Sequence, residues 1–118
     1  IDTLVNNAGI HSLAGRTSAD GFDLMTATNH LGPFLLTNLL LEPIVAAERA
    51  RIVITASEAH RSWPRIDLER FAEARRYNAI RSEIRYGQSK LGESVTPCLR
   101  GLRGRLRVQR RHATVVSP

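Results

Sequence analysis

The sequence has 118 residues, 42% of them hydrophobic and 24% charged, a composition that is typical of one globular domain, or part of one, and excludes a disordered or fibrous chain. A single cysteine, with no Cys or His cluster at metal-ligand spacing, excludes a disulfide framework and the usual structural zinc sites, so we expect a reducing, cytoplasmic setting and no metal. The net charge of +6 lies almost entirely in residues 91–118, which hold 6 of the 17 basic residues and 1 of the 11 acidic ones.

The first half of the chain predicts one strand and one long helix. An apolar run that ends in Asn6-Asn7-Ala8-Gly9 predicts a buried strand over residues 2–6 and a tight loop after it. From Phe22 to Leu40, apolar side chains recur at spacings of three or four, which predicts a helix that Gly32-Pro33 should kink and that Pro43 and the polar Glu48-Arg49 should end. No run approaches the roughly 20 apolar residues that cross a bilayer, so we expect no membrane span.

The second half repeats the order of strand and helix. Arg51–Ser57 is a continuous β-branched run, as expected for a strand that helices cover on both faces. A charged connection that contains Trp63 follows, and another helix is expected to begin around Glu83 to Tyr86 and to continue through Lys90. The alternation predicts an α/β fold that is part of a doubly wound parallel sheet.

Candidate functional residues follow the predicted strands, because ligands of open parallel sheets bind beyond the carboxyl ends of the strands. Asn6 to Gly9 and Ser57 occupy such positions. Tyr86 and Lys90 are four residues apart and so share one face of a helix. An ammonium beside a phenol stabilises the phenolate, which makes the tyrosine a usable proton donor and acceptor near neutral pH.

Four motifs resemble, in order and spacing, the short-chain dehydrogenase/reductase family, and above all its retinol-dehydrogenase-like branch. They are Asn6-Asn7-Ala8-Gly9, Asn29-His30-Leu31-Gly32, Ile52 to Ser57, and Tyr86-Gly87-Gln88-Ser89-Lys90-Leu91. The resemblance implies that residues 1–118 form a partial Rossmann-type dehydrogenase domain without its first strands, with residues 1–91 family-like and residues 92–118 a divergent, arginine-rich tail. On this interpretation the chain is cut from a longer protein, and we expect it to be unstable and inactive alone.

The resemblance implies four catalytic residues. Tyr86 would be the acid/base, and Lys90 would lower the pKa of Tyr86 and hydrogen-bond the nicotinamide ribose. Ser57 would hold the substrate oxygen. Asn29 would help to position Lys90 through a water molecule and complete a proton relay.

The resemblance also implies a nicotinamide cofactor, either NAD or NADP. Its site would combine the loop after the first strand with three of the catalytic residues, namely Asn6, Ala8, Gly9, Asn29, Tyr86 and Lys90. The implied reaction is reversible hydride transfer between this cofactor and a small-molecule alcohol or carbonyl substrate. If the longer protein forms an oligomer, we expect a homo-oligomer.

The tail departs from the family pattern. Gly92, Pro97, Gly101 and Gly104 are expected to interrupt the last helix, whereas Ala113–Pro118 resembles the next strand and the start of its cofactor-side turn. The abrupt change of composition favours the hypothesis of a frameshift or a degenerate gene fragment.

Two other functions stay open. The glycine-rich phosphate-binding turn of the family is missing from these residues, which would suit a non-catalytic fragment or pseudoenzyme that keeps only an interaction surface. The basic tail alone would suit a nucleic-acid binder, but it has no aromatic side chain to stack on a base, so we expect no nucleic-acid partner. Among the histidines, His30 is interpreted as structural, and His11 as a surface or pocket-lining residue.

Overall fold

The computed structural model describes residues 1–61, 65–94 and 107–113. These residues form a three-stranded sheet in the order β1-β2-β3, in which both neighbouring pairs are parallel. The strands are β1 (Thr3–Asn6), β2 (Arg51–Ser57) and β3 (Arg107–Ala113). The predicted α/β class and the first two predicted strands are therefore confirmed, with β1 starting one residue later than expected.

The central strand β2 contributes three buried hydrophobic side chains to the core. Its side chains Ile52, Ile54 and Ala56 are buried, and Leu4 of β1 pairs beside Ile52. Ile44, from the helix before β2, is completely buried against the same cluster. Burial of a leucine or isoleucine side chain contributes about 1.5–3 kcal/mol, so these contacts hold β1, β2 and the helix before β2 together.

The long helix predicted from Phe22 to Leu40 is three successive segments. Helix α1 (Leu24–Thr26) is followed by a π-helical turn (Ala27–Leu31) and then by α2 (Gly32–Leu39). The buried Asp23 side chain caps α1 by accepting a hydrogen bond from Thr26 N at 2.9 Å. The kink predicted at Gly32-Pro33 lies earlier than expected, because the irregular turn precedes Pro33. Pro33 itself is in the first turn of α2, where a backbone N–H has no acceptor within the helix and its absence costs no hydrogen bond.

Of the two signals expected to end this helix, Pro43 is wrong, whereas the helical segments do end before Glu48-Arg49. Helix α2 ends at Leu39, and a short helix α3 (Leu41–Val45) contains Pro43 in its first turn. Proline is tolerated in this turn as well, because the first N–H groups of a helix have no intrahelical acceptor, so the missing N–H breaks no hydrogen bond.

Helix α4 (Ala79–Ser94) begins about one turn before the predicted start at Glu83 to Tyr86. Asn78 caps it, since its Oδ1 accepts a hydrogen bond from Arg81 N at 3.1 Å. The helix also continues through Gly92, which was expected to interrupt it. A Cβ at Gly92 would lie 2.8 Å from Phe71 Cζ and 2.9 Å from His30 Nδ1, so the glycine allows close packing inside the helix.

Of the strand expected at Ala113–Pro118, only Ala113 is described, and it is the last residue of β3 (Arg107–Ala113), a strand that the sequence patterns did not indicate. Strand β3 ends at Ala113 and pairs along the whole of β2, from Arg51 opposite Arg107 to Ser57 opposite Ala113. Its position follows from backbone pairing with β2, which charged residues satisfy as well as apolar ones. The expectations for Trp63, Pro97, Gly101, Gly104 and residues 114–118 fall outside the described residues. Among the helices of the described ranges, none has the length and apolar character that crossing a bilayer requires.

Candidate active site

Tyr86 and Lys90 lie on the inner face of α4, with relative exposures of only 6% and 4%. Lys90 Nζ donates a hydrogen bond to the carbonyl oxygen of Thr55 at 3.3 Å, which joins α4 to β2. A buried ammonium is unfavourable unless it is hydrogen-bonded. Lys90 is also the single lysine of the sequence, whose other sixteen basic residues are arginines. This contrast already distinguishes Lys90 in the sequence alone.

Ser57 is the last residue of β2 and lies two positions after Thr55. It is buried, at 5% exposure, and its Oγ accepts a hydrogen bond from Ala59 N at 3.3 Å. The contact of Lys90 with β2 therefore brings the Tyr86 face of α4 to the carboxyl end of the strand that carries Ser57. This is the edge of a parallel sheet where ligands bind.

Asn29 occupies the π-helical turn and is completely buried. Its Oδ1 accepts a hydrogen bond from Ile10 N at 2.7 Å, and its Nδ2 donates to Ile10 O and to Ser89 Oγ, both at 2.9 Å. Asn29 thus links the loop after β1 to the residue that precedes Lys90. Both amide donors are used in these bonds, so within the Asn29 side chain only the second lone pair of Oδ1 is left for the water that the resemblance implies.

The three residues expected from the loop after β1 have different environments. Asn6 is buried and its Nδ2 donates to Thr37 Oγ1 of α2 at 3.0 Å, so its amide holds the end of β1 to α2. Ala8 and Gly9 are exposed. A Cβ at Gly9 would lie 2.9 Å from Lys90 Nζ and 3.4 Å from Asn29 Oδ1. The structure thus brings Gly9, Asn29 and Lys90 together, whereas the Asn6 side chain is bonded toward α2.

His11 contacts the candidate site, although the sequence showed it only as a surface or pocket-lining residue. Its ring centroid lies 4.9 Å from that of Tyr86, and its Nε2 lies 3.0 Å from Ser82 Oγ and 3.3 Å from Glu83 Oε1. Ser82 Oγ donates its own hydrogen to Ser12 O at 2.6 Å, so Nε2 is the donor to Ser82. The only sequence signal was that His11 follows the Asn6–Gly9 motif by two positions.

His30 lies apart from these groups, between two aromatic rings. The ring of Phe71 is 5.2 Å from it in an edge-on arrangement, and the ring of Phe34 is 6.2 Å away and stacked. Burial lowers the pKa of His30 below its usual value of 6.5. This environment favours the neutral ring, as expected for a histidine with a packing role.

The residues around Gly9 fit the cofactor that the resemblance implies. Because Gly9 has no Cβ, its exposed backbone packs directly against Lys90 Nζ and Asn29 Oδ1, where a Cβ would lie only 2.9 and 3.4 Å from these atoms. The ammonium of Lys90 can donate hydrogen bonds to a ribose hydroxyl. Lys90, Tyr86 and Asn29 are thus the residues that would hold the nicotinamide end of NAD or NADP.

A model of the short chain dehydrogenase family matches residues 1–65, which is more than half of the chain. The chain belongs to the short-chain dehydrogenase family, as its four motifs predicted. It is 41% identical over 92 residues to human Retinol dehydrogenase 13, covering 77% of this chain and 27% of that protein. It is 44% identical over 92 residues to human Dehydrogenase/reductase SDR family member 13, covering 77% of this chain and 23% of the relative.

A solved structure shows the same fold. The crystal structure of an uncharacterized protein from Mycobacterium paratuberculosis superimposes with a TM-score of 0.72 at 38% sequence identity, covering 94% of this chain and 41% of that one. The expected partial Rossmann-type fold and the likeness to retinol dehydrogenases are thus confirmed. The chain spans about a quarter of the length of the curated relatives it matches.

Proposed function

We propose that this chain carries the catalytic residues of an oxidoreductase that transfers a hydride between NAD or NADP and an alcohol or carbonyl substrate. The observation that supports it best is the burial of Tyr86 and Lys90 on one face of α4, where Lys90 is bonded to β2 two residues before Ser57. Because the chain spans about a quarter of its relatives, we expect this activity in the natural protein that contains it and not in the 118 residues alone.

In the proposed reaction the substrate alcohol loses a hydride from carbon and a proton from oxygen. A bound nicotinamide supplies the hydride acceptor and, in the reverse direction, the donor. Ser57 Oγ orients the substrate oxygen by a hydrogen bond. The phenolic oxygen of Tyr86 takes the proton from that oxygen during oxidation and returns it during reduction.

Lys90 and Asn29 serve this proton transfer indirectly. The Lys90 ammonium stabilises the deprotonated form of Tyr86, since an opposite charge nearby favours the charged state. Asn29 holds Ser89, next to Lys90, and the backbone of Ile10, next to Gly9, by three hydrogen bonds. These bonds therefore fix the loop that contains Gly9 relative to the part of α4 that contains Lys90.

Retinol is the first substrate to test, because several relatives are named retinol dehydrogenases. The candidate residues would act on any alcohol that reaches Tyr86, so other primary and secondary alcohols belong in the same assay. We also infer a cytoplasmic location from the reducing setting that a single cysteine implies, which fluorescence imaging of the tagged natural protein tests.

The decisive experiment measures formation of reduced NAD and NADP by the natural protein that contains this chain, with and without Tyr86→Phe. We expect turnover to fall by about 10²–10⁴-fold while the cofactor still binds, because only the proton-transferring hydroxyl is removed. Retention of more than about a tenth of the rate would contradict the acid/base role.

Tyr77→Phe is the matched control. Tyr77, the other tyrosine of the sequence, donates a hydrogen bond to the buried Asp23 carboxylate at 3.2 Å. Its loss should lower stability by about 1 kcal/mol and leave turnover unchanged. A wild-type protein that binds NAD or NADP but turns over no alcohol would instead favour the non-catalytic alternative.

A further inference from the structure

A cavity of about 400 Å³ lies between α4 and the segment that leads into it, and five arginines line it: Arg70, Arg75, Arg76, Arg81 and Arg85. Its α4 residues are on another face of the helix from Lys90, which points to β2. The cavity is therefore separate from the candidate active site.

Hydrogen bonds hold the two walls of this arginine cavity together. The Arg85 guanidinium donates to Phe71 O at 3.2 Å and to Glu73 O at 2.9 Å. Gln88 Nε2 of α4 donates to Arg65 O at 3.1 Å. These bonds join side chains of α4 to backbone carbonyls of the opposite wall, so the cavity is a built feature of the fold.

The positive charge of the cavity is only partly compensated. Arg75 forms an ion pair with Glu73, and Asp67 is the acidic residue of the lining. The Arg85 guanidinium already donates hydrogen bonds to backbone carbonyls. Within the described ranges, the side chains of Arg76 and Arg81 make neither a hydrogen bond nor an ion pair with another residue. Several guanidinium groups thus converge on one space with donors still available.

We propose that this cavity binds a small molecule that carries two phosphate groups, with Arg76 and Arg81 as its main ligands. A guanidinium presents its donors in a planar fork that matches phosphate oxygens, which is why arginine prevails in phosphate sites. The volume lies within the range of about 300–1,000 Å³ typical of small-molecule sites. A single phosphate would leave most of that space empty. The chemistry is shared by soluble diphosphates and by phosphorylated lipid headgroups.

The test uses inorganic pyrophosphate as the probe, titrated calorimetrically into the natural protein that contains this chain, at an ionic strength of about 0.15 M, where exposed charges are largely screened. We expect Arg76→Gln with Arg81→Gln to weaken binding at least about tenfold. Arg76→Lys with Arg81→Lys keeps the charge but loses the planar fork, and should give an intermediate affinity.

The matched control removes the same charge elsewhere, with Arg16→Gln and Arg49→Gln, both exposed and outside the lining. This pair should change the affinity less than about twofold, because screening limits the effect of distant charges. Equal weakening in the two double variants, or no binding by the wild type, would overturn the proposal. Thermal melting of every variant shows whether it is folded.

A second arm identifies the source of the phosphates. The protein is mixed with phosphatidylcholine vesicles that contain a bisphosphorylated phosphoinositide, with plain phosphatidylcholine as the control. Binding to the phosphoinositide vesicles that pyrophosphate displaces supports a lipid headgroup as the ligand. Binding of pyrophosphate without vesicle binding supports a soluble diphosphate. Both readouts are independent of turnover, so the inference does not depend on the proposed oxidoreductase activity.

Discussion

Gly9 lies so close to Lys90 that a Cβ at residue 9 would be 2.9 Å from the Lys90 Nζ atom. Heavy atoms that are not bonded to each other do not approach this closely when one of them is a Cβ, so a side chain at residue 9 has to displace the ammonium. Lys90 also bonds to β2 through Thr55 O. The position of this ammonium therefore depends both on the absence of a side chain at residue 9 and on the hydrogen bond to β2.

Gly9→Ala should for this reason weaken cofactor binding and lower turnover, each by about tenfold or more, since ångström-scale misplacement of a catalytic group costs up to about 10²-fold. Cofactor titration and steady-state kinetics measure the two effects. Gly21→Ala is the control: nothing lies within 4 Å of its Cβ position, and its φ of +85° penalises any side chain. That variant should lose stability but keep its kcat, and an equal loss of kcat in both would contradict the specific contact.

Lys90→Met should reduce both cofactor affinity and turnover, because the variant loses the ammonium but keeps a chain of similar length. If Lys90 favours the ionised form of Tyr86, the pH–rate profile should move to higher pH in this variant. Lys90→Arg keeps the charge and should move the profile less, although its larger head group has to fit beside Gly9. An unmoved profile in Lys90→Met would remove the electrostatic role.

His11→Ala should lower kcat by about 3- to 10-fold, because an aromatic pair contributes about 0.5–1.5 kcal/mol to holding the Tyr86 ring. His11→Phe keeps a ring at the 4.9 Å contact and loses the Nε2 bond to Ser82. It should retain most of the turnover and lose about 1 kcal/mol of stability. Equal kcat values for the alanine and phenylalanine variants would show that the ring contact does not position Tyr86.

His30 predicts a dependence of stability on pH. Burial lowers its pKa below 6.5, so between the folded and unfolded pKa values the unfolded chain binds more protons. The unfolding free energy contributed by His30 is present above the unfolded pKa and is lost as the pH falls through the folded one. Urea unfolding should therefore show declining stability on acidification, with a slope below about 1.4 kcal/mol per pH unit, the limit for one proton. His30→Phe should flatten this slope, and an unchanged slope would assign the effect to other groups.

Local patterns were sufficient for the features that depend on neighbours in the sequence. The strand Arg51–Ser57 was predicted with its observed bounds, because a β-branched apolar run favours an extended, buried backbone wherever it lies. Tyr86 and Lys90 were expected on one helix face and are both buried there, because a spacing of four residues fixes their relation in any helix. The order of the motifs was sufficient to predict the family.

Tertiary structure decided the rest, since those features depend on contacts between residues far apart in the chain. Gly92 is tolerated inside α4 because Phe71 and His30 leave no room for a Cβ, and β3 lies where its backbone pairs with β2. Asn29 bonds Ser89, sixty residues away, and His11 meets Tyr86 across seventy-five positions of the printed sequence. A sequence pattern shows the preference of each residue for its own backbone conformation. Which side chains are in contact depends on the path of the whole chain, and that path is established only when α4 packs against the sheet.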